Sequence, residues 1–396
     1  MFPLFFPLPG LFYIFEKIRD YPVSFTFFYY LCALKPLSET DMFTDIRQQC
    51  QQLTDPRFDR PEDLVSWMGA VQAQDYDMAE WAVGIRLKEG TLTSVRQALR
   101  EGKIIRTHIM RPTWHFVAAE DLRWMLQLTG KRVQAANESY GKSLQMGMDE
   151  KLYLQCNRLL EKLLEGHKSL TKQEIEAALN KTGIGTDSSR INRILMQAES
   201  EGLVCSGEMK GNKHTYALLE ERVPPVPGLT SEEALARFAG KYFQSHSPAS
   251  LQDFVWWSGL TIREARQAME LIRPRLLREV WDGNEYFIHE SYGTGSGTRE
   301  TFHLLPSFDE YLISYKDRSG VLAKEHYPKA FNRFGTFYPV ILHNGNITGN
   351  WKKSTEKKQA GITLSFFRPE WKAGDEFTRT ARERFLAFNG ESSPSR

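Results

Sequence analysis

Apolar residues recur every three to four positions through much of the chain, which predicts amphipathic helices. In the first third of the chain, such helices are expected over 42–53, 61–74, 78–87, 92–101 and 118–128. The second helix begins with Pro61 and two acidic residues, and both residue types favour a first helical turn. Residues 104–116 have the composition of strands and are divided by Arg111-Pro112. Helices therefore alternate with a short pair of strands.

The middle of the chain predicts a helix, a turn, a second helix and a hairpin, in that order. These elements are expected at 172–179, 183–189 and 190–201, with the two strands at 203–205 and 215–219. Thr171 is placed to cap the first helix, and Gly211-Asn212 lies at the tip of the hairpin. This order of elements is that of a winged-helix domain.

A similar order returns after the proline-rich linker at 223–228. Helices are expected at 235–245, 251–258 and 262–272, followed by strands at 276–281 and 286–289. The two strands flank Asp282-Gly283-Asn284, a strong hairpin turn. The pattern thus predicts at least two tandem winged-helix units and favours three.

The C-terminal part is predicted to be richer in strands. A hairpin is expected where the strands 338–342 and 347–352 flank His343-Asn344-Gly345-Asn346, followed by a strand at 361–366 and a helix at 376–388. Residues 291–299 are rich in Gly, Ser and Thr but lack the Gly-Lys-Ser/Thr ending of a phosphate loop, so we expect a linker there. The predicted fold class is α+β and predominantly helical.

Composition excludes several classes of protein. The chain has 396 residues with 51 Lys and Arg against 49 Asp and Glu, too balanced for a histone-like nucleic-acid binder. This balance still permits an enzyme with basic residues on one face. The four cysteines form no CxxC pair, and the nine histidines show no HxH or HExxH spacing. We therefore expect reduced thiols, no metal site and no cofactor.

Residues 1–41 differ in composition from the rest, with eight Phe and four Tyr. Their apolar runs are broken by prolines and by a charged cluster at 16–20, which is unlike a membrane-spanning helix. An interfacial anchor, an uncleaved signal and an extension outside the fold all remain open. We favour the extension, with Met42 as a candidate start, and expect no membrane association.

Five ordered blocks carry a resemblance to a known family. They are WMGAVQAQDYDMAEWAVGIRL (67–87), RTHIMRPTWHFVAAEDLRWML (106–126), SPASLQDFVWWSGL (247–260), LLPSFDEYLISYKDRS (304–319) and ILHNGNITGNWKK (341–353). Together they closely resemble the AlkZ-like winged-helix DNA glycosylases, from about Ile46 to Trp371. Residues 1–41 lie outside the resemblance.

The resemblance implies three tandem winged-helix units with a C-terminal β-barrel-like region. The expected divisions are an extension at 1–41, units at 42–150, 151–222 and 229–290, and the β-rich region at 300–390. It also implies a monofunctional DNA repair glycosylase that excises alkylated purines, including those in interstrand crosslinks. Such an enzyme is expected to act as a cytoplasmic monomer on double-stranded DNA with alkylated bases.

The family's catalytic pair lies in a Gln-x-Gln or Gln-x-Asp motif, which here is Gln72-Ala73-Gln74. The resemblance therefore assigns catalysis to Gln72 and Gln74, and the Gln-x-Gln form is the one tied to bulky crosslinks. Without the resemblance, two glutamines at a helix end would be ordinary polar residues. Asp75 and Asp77 are the alternative carboxylates, although we favour them as caps of the following helix.

Two glutamine side chains are chemically able to support cleavage of an N-glycosidic bond when the leaving base is already charged. Cleavage of an N-glycosidic bond passes through an oxocarbenium-like transition state. A purine alkylated at N3 or N7 is already cationic, so its departure needs no protonation. A glutamine can accept from the attacking water and donate to substrate oxygen but is not a base at pH 7. The prediction is therefore an enzyme restricted to charged lesions.

Candidate DNA-binding residues fall into three sets. They are the polar row Arg106, His108, Arg111 and His115, the second unit's Arg190, Arg193, Lys210 and Lys213, and the third unit's Arg263, Arg266, Arg273, Arg275 and Arg278. For the polar row, phosphate contact, lining of a lesion pocket and a buried polar network all remain open. For the basic sets the alternative to phosphate contact is a solvated charged face. From these residues we select Arg111, His115 and the second unit's set for DNA contact. Trp256 and Trp257 are predicted to lie in the core. Asp309 is equally consistent with pairing to an arginine and with catalysis.

A non-catalytic winged-helix regulator is the competing hypothesis. Regulators of this type bind as symmetric dimers to palindromic sites. Three unlike units on one chain instead favour a monomer that grips DNA once. The Gln-Ala-Gln motif would also have no purpose in a regulator.

Overall fold

The computed structural model describes residues 39–292, 300–353 and 361–391. Over these ranges the fold is mixed α/β and 50% helical, which is consistent with the predicted class. No helix in the described ranges is long and apolar enough to cross a membrane. The linker predicted at 291–299 and the extension predicted at 1–41 lie almost entirely outside these ranges.

The first part of the fold consists of four helices and a three-stranded sheet. Its elements are α1 (Glu39–Cys50), α2 (Pro61–Met68), β1 (Val71–Gln72), α3 (Tyr76–Gly84), α4 (Leu92–Arg100), β2 (Ile104–His108) and β3 (Trp114–Ala118). Strand β3 is central and pairs antiparallel with both β1 and β2. This register sets Gln72 directly opposite His115.

A long helix, α5 (Ala119–Ser143), connects to a second group of elements. They are α6 (Glu150–Leu164), β4 (Leu170–Thr171), α7 (Lys172–Lys181), α8 (Ser188–Ser200), β5 (Val204–Ser206), β6 (Thr215–Leu218) and α9 (Leu219–Arg222). The strands form a sheet in the order β4-β6-β5, and α8 packs on α5. Thr171 caps α7 in a capping box with Glu174, as predicted.

The third group repeats helices followed by a hairpin. It comprises α10 (Ser231–His246), α11 (Leu251–Ser258), α12 (Ile262–Leu271), β7 (Leu276–Trp281) and β8 (Asn284–His289). Thr261 caps α12 in a capping box with Glu264. The turn residues Asp282 and Gly283 both have positive φ, at 48° and 74°, which confirms the predicted hairpin turn.

The C-terminal part holds an open four-stranded sheet. Its elements are β9 (Phe302–Leu305), α13 (Glu310–Ile313), α14 (Tyr327–Ala330), β10 (Val340–His343), β11 (Asn346–Lys353), β12 (Ile362–Phe366) and α15 (Asp375–Phe388). The strand order is β12-β11-β10-β9, so the described strands do not close into the expected barrel-like region. Apolar residues of this sheet, such as Leu304 and Ile341, share one core cluster with Ile46 and Val71 of the first group. The Gln72 strand therefore lies against the C-terminal part.

Two sequence predictions need correction. The second helix was expected to reach Gln74, but α2 ends at Met68 and Val71–Gln72 forms a strand. Gly69 ends the helix with φ of 77°, where a side chain's Cβ would lie 3.3 Å from Lys241 and Trp257. The extension was expected to reach residue 41, but helix α1 already begins at Glu39.

Candidate active site

Gln72 is contacted by two charged side chains, one at its backbone N–H and one at its side-chain amide. Its backbone N–H donates to Oε1 of Glu310 at 2.6 Å, and its side-chain Oε1 accepts from Nη2 of Arg111 at 3.3 Å. The residue is only 5% exposed. Strand β1 and these two contacts together fix the direction of the amide.

Gln74 lies two residues further along the chain, in a bend after the end of β1, and is exposed. Its Oε1 accepts from the backbone N–H of Trp114 at 3.4 Å. Gln72 and Gln74 therefore lie at the same end of the sheet, beside His115 and Trp114 of β3, and Gln72 is buried whereas Gln74 is exposed.

Glu310 is the acidic residue of the site, and the sequence analysis missed it. It is 2% exposed, its Oε2 accepts from Ser314 Oγ, and that oxygen lies 3.6 Å from Nε2 of His246. Burial raises the pKa of Glu310, but His246, Ser314 and the Gln72 N–H outweigh burial and hold the pKa below its ordinary value. Glu310 is therefore a buried carboxylate, ionised at neutral pH.

His246 completes the surroundings of Glu310. Its ring stacks on Tyr242 with centroids 4.9 Å apart, and its Nδ1 lies 2.7 Å from Ser245 Oγ. Burial lowers the pKa of His246, so the imidazole is neutral at pH 7. The Glu310 charge is consequently not cancelled by a histidine cation.

Asp309, the neighbouring carboxylate, has a structural partner. Its two oxygens accept from Arg86 at 2.8 and 2.9 Å, and both side chains are 1% exposed. Arg86 also donates to Gln51 Oε1 at 3.0 Å. Of the two hypotheses for Asp309, the structure therefore supports the arginine pair.

Arg111 and His115 flank Gln72, but they differ in character. Arg111 is partly buried between Gln72 and the ring of Trp256, 5.7 Å from its guanidinium carbon. His115 is 1% exposed, and burial together with Arg111 lowers its pKa to about 3. A buried neutral imidazole does not contact phosphate, so the prediction of DNA contact by His115 is corrected to a role beside Gln72.

Arg106, His108 and Asp75 belong to the framework around the motif. Arg106 donates to the carbonyl of Ala73 at 2.9 and 3.1 Å, and His108 Nδ1 lies 2.6 Å from Glu199. These contacts form the buried polar network that was the alternative to DNA contact. Asp75 caps α3 by accepting from the N–H of Met78, which confirms its interpretation as a cap.

The basic residues selected in the second unit lie on α8 and on the β5–β6 hairpin. Arg193 is half-buried, with its guanidinium 4.8 Å from the Tyr140 ring centroid, and Arg190 is also half-buried. Lys210 pairs with Glu174 at 2.9 Å, and Lys213 is exposed. None of the four has a hydrogen bond or ion pair with the Gln72 surroundings in the described ranges, so their contact with DNA stays a prediction.

Trp256 and Trp257 differ in exposure. Trp257 is 1% exposed and lies in the core, as predicted. Trp256 is 37% exposed, so its assignment to the core is wrong. Both lie on α11, and side chains of successive helical residues point in different directions.

Three comparisons place this fold and site among known proteins. The family model described as "DNA glycosylase AlkZ-like" matches residues 65–388. The protein named "Interstrand DNA cross-link repair glycosylase" from Streptomyces sahachiroi is 23% identical over 317 residues, covering 76% of this chain and 85% of the relative. The solved structure of "Streptomyces sahachiroi DNA glycosylase AlkZ" superposes with a TM-score of 0.75 at 20% identity, covering 91% and 98% of the two chains. The chain therefore belongs to the AlkZ-like family of DNA glycosylases, enzymes that act on N-glycosyl bonds, as its five sequence blocks indicated.

Proposed function

We propose that this protein hydrolyses the N-glycosidic bond of cationic purines alkylated at N3 or N7, including those in interstrand crosslinks, and leaves an abasic site. This proposal depends above all on the contacts of Gln72. Arg111 donates to its neutral side-chain amide, and its backbone N–H donates to the buried Glu310 carboxylate. The name of the Streptomyces relative supports crosslinks as substrates.

The amides position the water. A glutamine carbonyl oxygen has two lone pairs, and Arg111 uses one of those on Gln72. The other accepts a hydrogen from the attacking water, and the exposed amide of Gln74, two residues further along the chain, provides a second contact for the water or the sugar. Neither amide donates a proton at pH 7, so the leaving base must already carry positive charge and departs as a neutral molecule. The water adds to the sugar cation and then loses its extra proton to solvent, which leaves a hydroxyl group on the abasic sugar.

Glu310 supplies the negative charge for the transition state. An oxocarbenium-like sugar develops positive charge as the base departs. A fixed carboxylate within a poorly solvated site stabilises such charge without reorganisation. Glu310 acts through its field and through Gln72, because its two oxygens already accept hydrogen bonds from the Gln72 N–H and from Ser314.

The architecture fits a monomer that grips double-stranded DNA. We assign winged-helix units to 42–150, 151–222 and 229–290 and the β-rich region to 300–390, with the Gln72 site where the first unit meets that region. Arg111, Arg190, Arg193, Lys210 and Lys213 are the proposed phosphate contacts.

The substrate class is tested with duplexes that carry one lesion each. Under single-turnover conditions the protein releases 7-methylguanine and unhooks an N7-linked crosslink, and base treatment then cleaves the strand at the abasic site. Duplexes with hypoxanthine or uracil, which are neutral, stay intact. Release of neutral bases at comparable rates would contradict the proposed mechanism, and no release from any alkylated duplex would contradict the function.

A further inference from the structure

An exposed tryptophan next to the catalytic motif has no role in the chemistry described above. The indole N–H of Trp256 donates to the carbonyl of Ile313 at 2.8 Å. Ile313 ends α13, the helix that begins with Glu310. The indole is therefore fixed in place by the same short helix that carries the site's carboxylate, while 37% of the residue stays exposed.

Three cations surround this indole. The charged groups of Arg111, Lys316 and Arg318 lie 5.7, 5.7 and 5.6 Å from its ring centroid. Within the described ranges none of the three forms an ion pair with a carboxylate within 4 Å. Indole faces attract cations without cancelling their charge. Trp256 and these cations, here called the Trp256 cluster, thus concentrate positive charge beside Gln72.

The nearby carboxylates are engaged elsewhere. Asp253 accepts from the backbone N–H groups of Lys316 and Asp317 at 2.8 and 3.2 Å and from Ser250. Asp317 accepts from the N–H of Ser319 at 2.9 Å. Burial lowers the pKa of Arg318 to about 10, and Asp253 and Asp317 act against that lowering. Both carboxylates are therefore close to the cluster, but neither forms an ion pair with one of its cations within 4 Å in the described ranges.

Two donors in the cluster lack acceptors. Arg318 is 8% exposed and donates through Nε to Leu312, yet its Nη2 has no hydrogen-bond partner in the described ranges. Nε of Arg111 is unpartnered as well. Buried polar atoms are seldom left unsatisfied in native proteins, so such donors point to a missing acceptor.

We infer that the Trp256 cluster is a subsite for one DNA backbone phosphate next to the nucleotide whose glycosidic bond faces Gln72. Lys316 is exposed and contacts the phosphate directly, while Arg111 and Arg318 offer it their unpartnered donors from the buried side. The cationic base is excluded from this position because three like charges would repel it. The inference rests on the proposed function, since it names how that site holds DNA.

The test measures binding to a duplex with one tetrahydrofuran abasic analogue. Single phosphates around the analogue are replaced in turn by uncharged methylphosphonates. The wild-type protein loses affinity at one position. Lys316→Ala lowers affinity about fivefold at moderate salt, reduces the salt slope by about 0.9, and becomes insensitive to methylphosphonate at that position. The control is Lys372→Ala, which also removes the charge of an exposed lysine but lies outside the Trp256 cluster. We expect this variant to behave like the wild type.

Trp256→Phe provides a second variant, because it keeps an aromatic ring but removes the indole N–H that donates to Ile313 and weakens the attraction for the three cations. We expect it to weaken binding at the same phosphate. The inference is overturned if Lys316→Ala and Lys372→Ala bind alike, or if Lys316→Ala retains the wild-type sensitivity at every position. Such a result would leave base release by the wild type intact, whereas a wild type that neither binds nor cleaves alkylated DNA would overturn the proposed function and the subsite together.

Discussion

Gln72 has no charge of its own, so its chemistry depends on the two charged side chains that hold it. Arg111 fixes the amide oxygen, and Glu310 fixes the backbone and contributes a buried negative charge. Asp309 has a different task one residue earlier, since its bidentate pair with Arg86 anchors the start of α13. Of these two adjacent carboxylates, Glu310 therefore provides negative charge at the site, and Asp309 stabilises the fold around it.

The variant Glu310→Gln tests whether the negative charge of Glu310 stabilises the transition state. The amide keeps an oxygen that accepts from the Gln72 N–H but loses the charge, so we expect the single-turnover rate to fall about 100-fold. Affinity for abasic-analogue duplex should stay near the wild-type value, because Glu310 does not touch DNA. A rate within threefold of wild type, with folding intact, would contradict the role of the charge.

The variant Asp309→Asn tests whether the buried ion pair between Asp309 and Arg86 stabilises the fold. Removing one partner of a buried ion pair leaves Arg86 uncompensated, and the expected loss is about 3–5 kcal/mol of unfolding free energy. Urea denaturation measures it. The matched control is Asp59→Asn, whose pair with Lys88 is exposed and should change stability little. Equal effects of the two variants would refute the structural assignment of Asp309.

At the scale of elements, local turn and cap chemistry was predictable from the sequence, and contacts distant in the chain were not. Asp282-Gly283 and Asn344-Gly345 take the positive φ that their hairpins require. The end of α2 was missed because the apolar pattern continues past Gly69, which turns against α10 and α11 through Lys241 and Trp257. Gln72 and Gln74 came from the family resemblance. The role of Glu310 could not be predicted from the sequence, because its contact with Gln72 joins residues that are 238 positions apart.

Histidines buried in strands make stability depend on pH. Burial lowers the pKa of His115 on β3 and of His303 on β9 to about 3 each, from an ordinary 6.5. Between these values the unfolded chain binds more protons than the folded one, so stability falls as pH drops from about 6.5 toward 3. Each histidine contributes up to about 1.4 kcal/mol per pH unit.

Urea denaturation at several pH values measures this slope. His303→Asn should reduce it, while the control His167→Asn, at an 80% exposed side chain, should not. An unchanged slope for His303→Asn would show that this histidine is protonated in the folded state, contrary to its burial.

At the scale of the whole molecule, the first unit and the C-terminal sheet share one apolar core. The site lies at this junction, because β1 carries Gln72 and α13 carries Glu310. Within α1, Arg47 stacks on Tyr315 at 3.6 Å, so this helix also belongs to the junction. The family match begins later, at residue 65.

A chain that begins at Met42 tests the assignment of 1–41 to an extension. It lacks only the first three residues of α1 among the described ones, so its unfolding temperature and its rate of base release should equal those of the full chain. Differential scanning calorimetry and single-turnover assays compare the two. A large loss of either would show that the segment packs on the first unit.

In the proposed mechanism, two neutral glutamines position the water that hydrolyses a charged lesion. The most direct measurement is single-turnover release of 7-methylguanine by Gln72→Ala and Gln74→Ala, alongside binding to the same duplex. The control Gln155→Ala removes an exposed glutamine from α6. We expect each motif variant to lose at least about 100-fold in rate while binding is retained, and the control to match the wild type. Wild-type rates in both motif variants would contradict it.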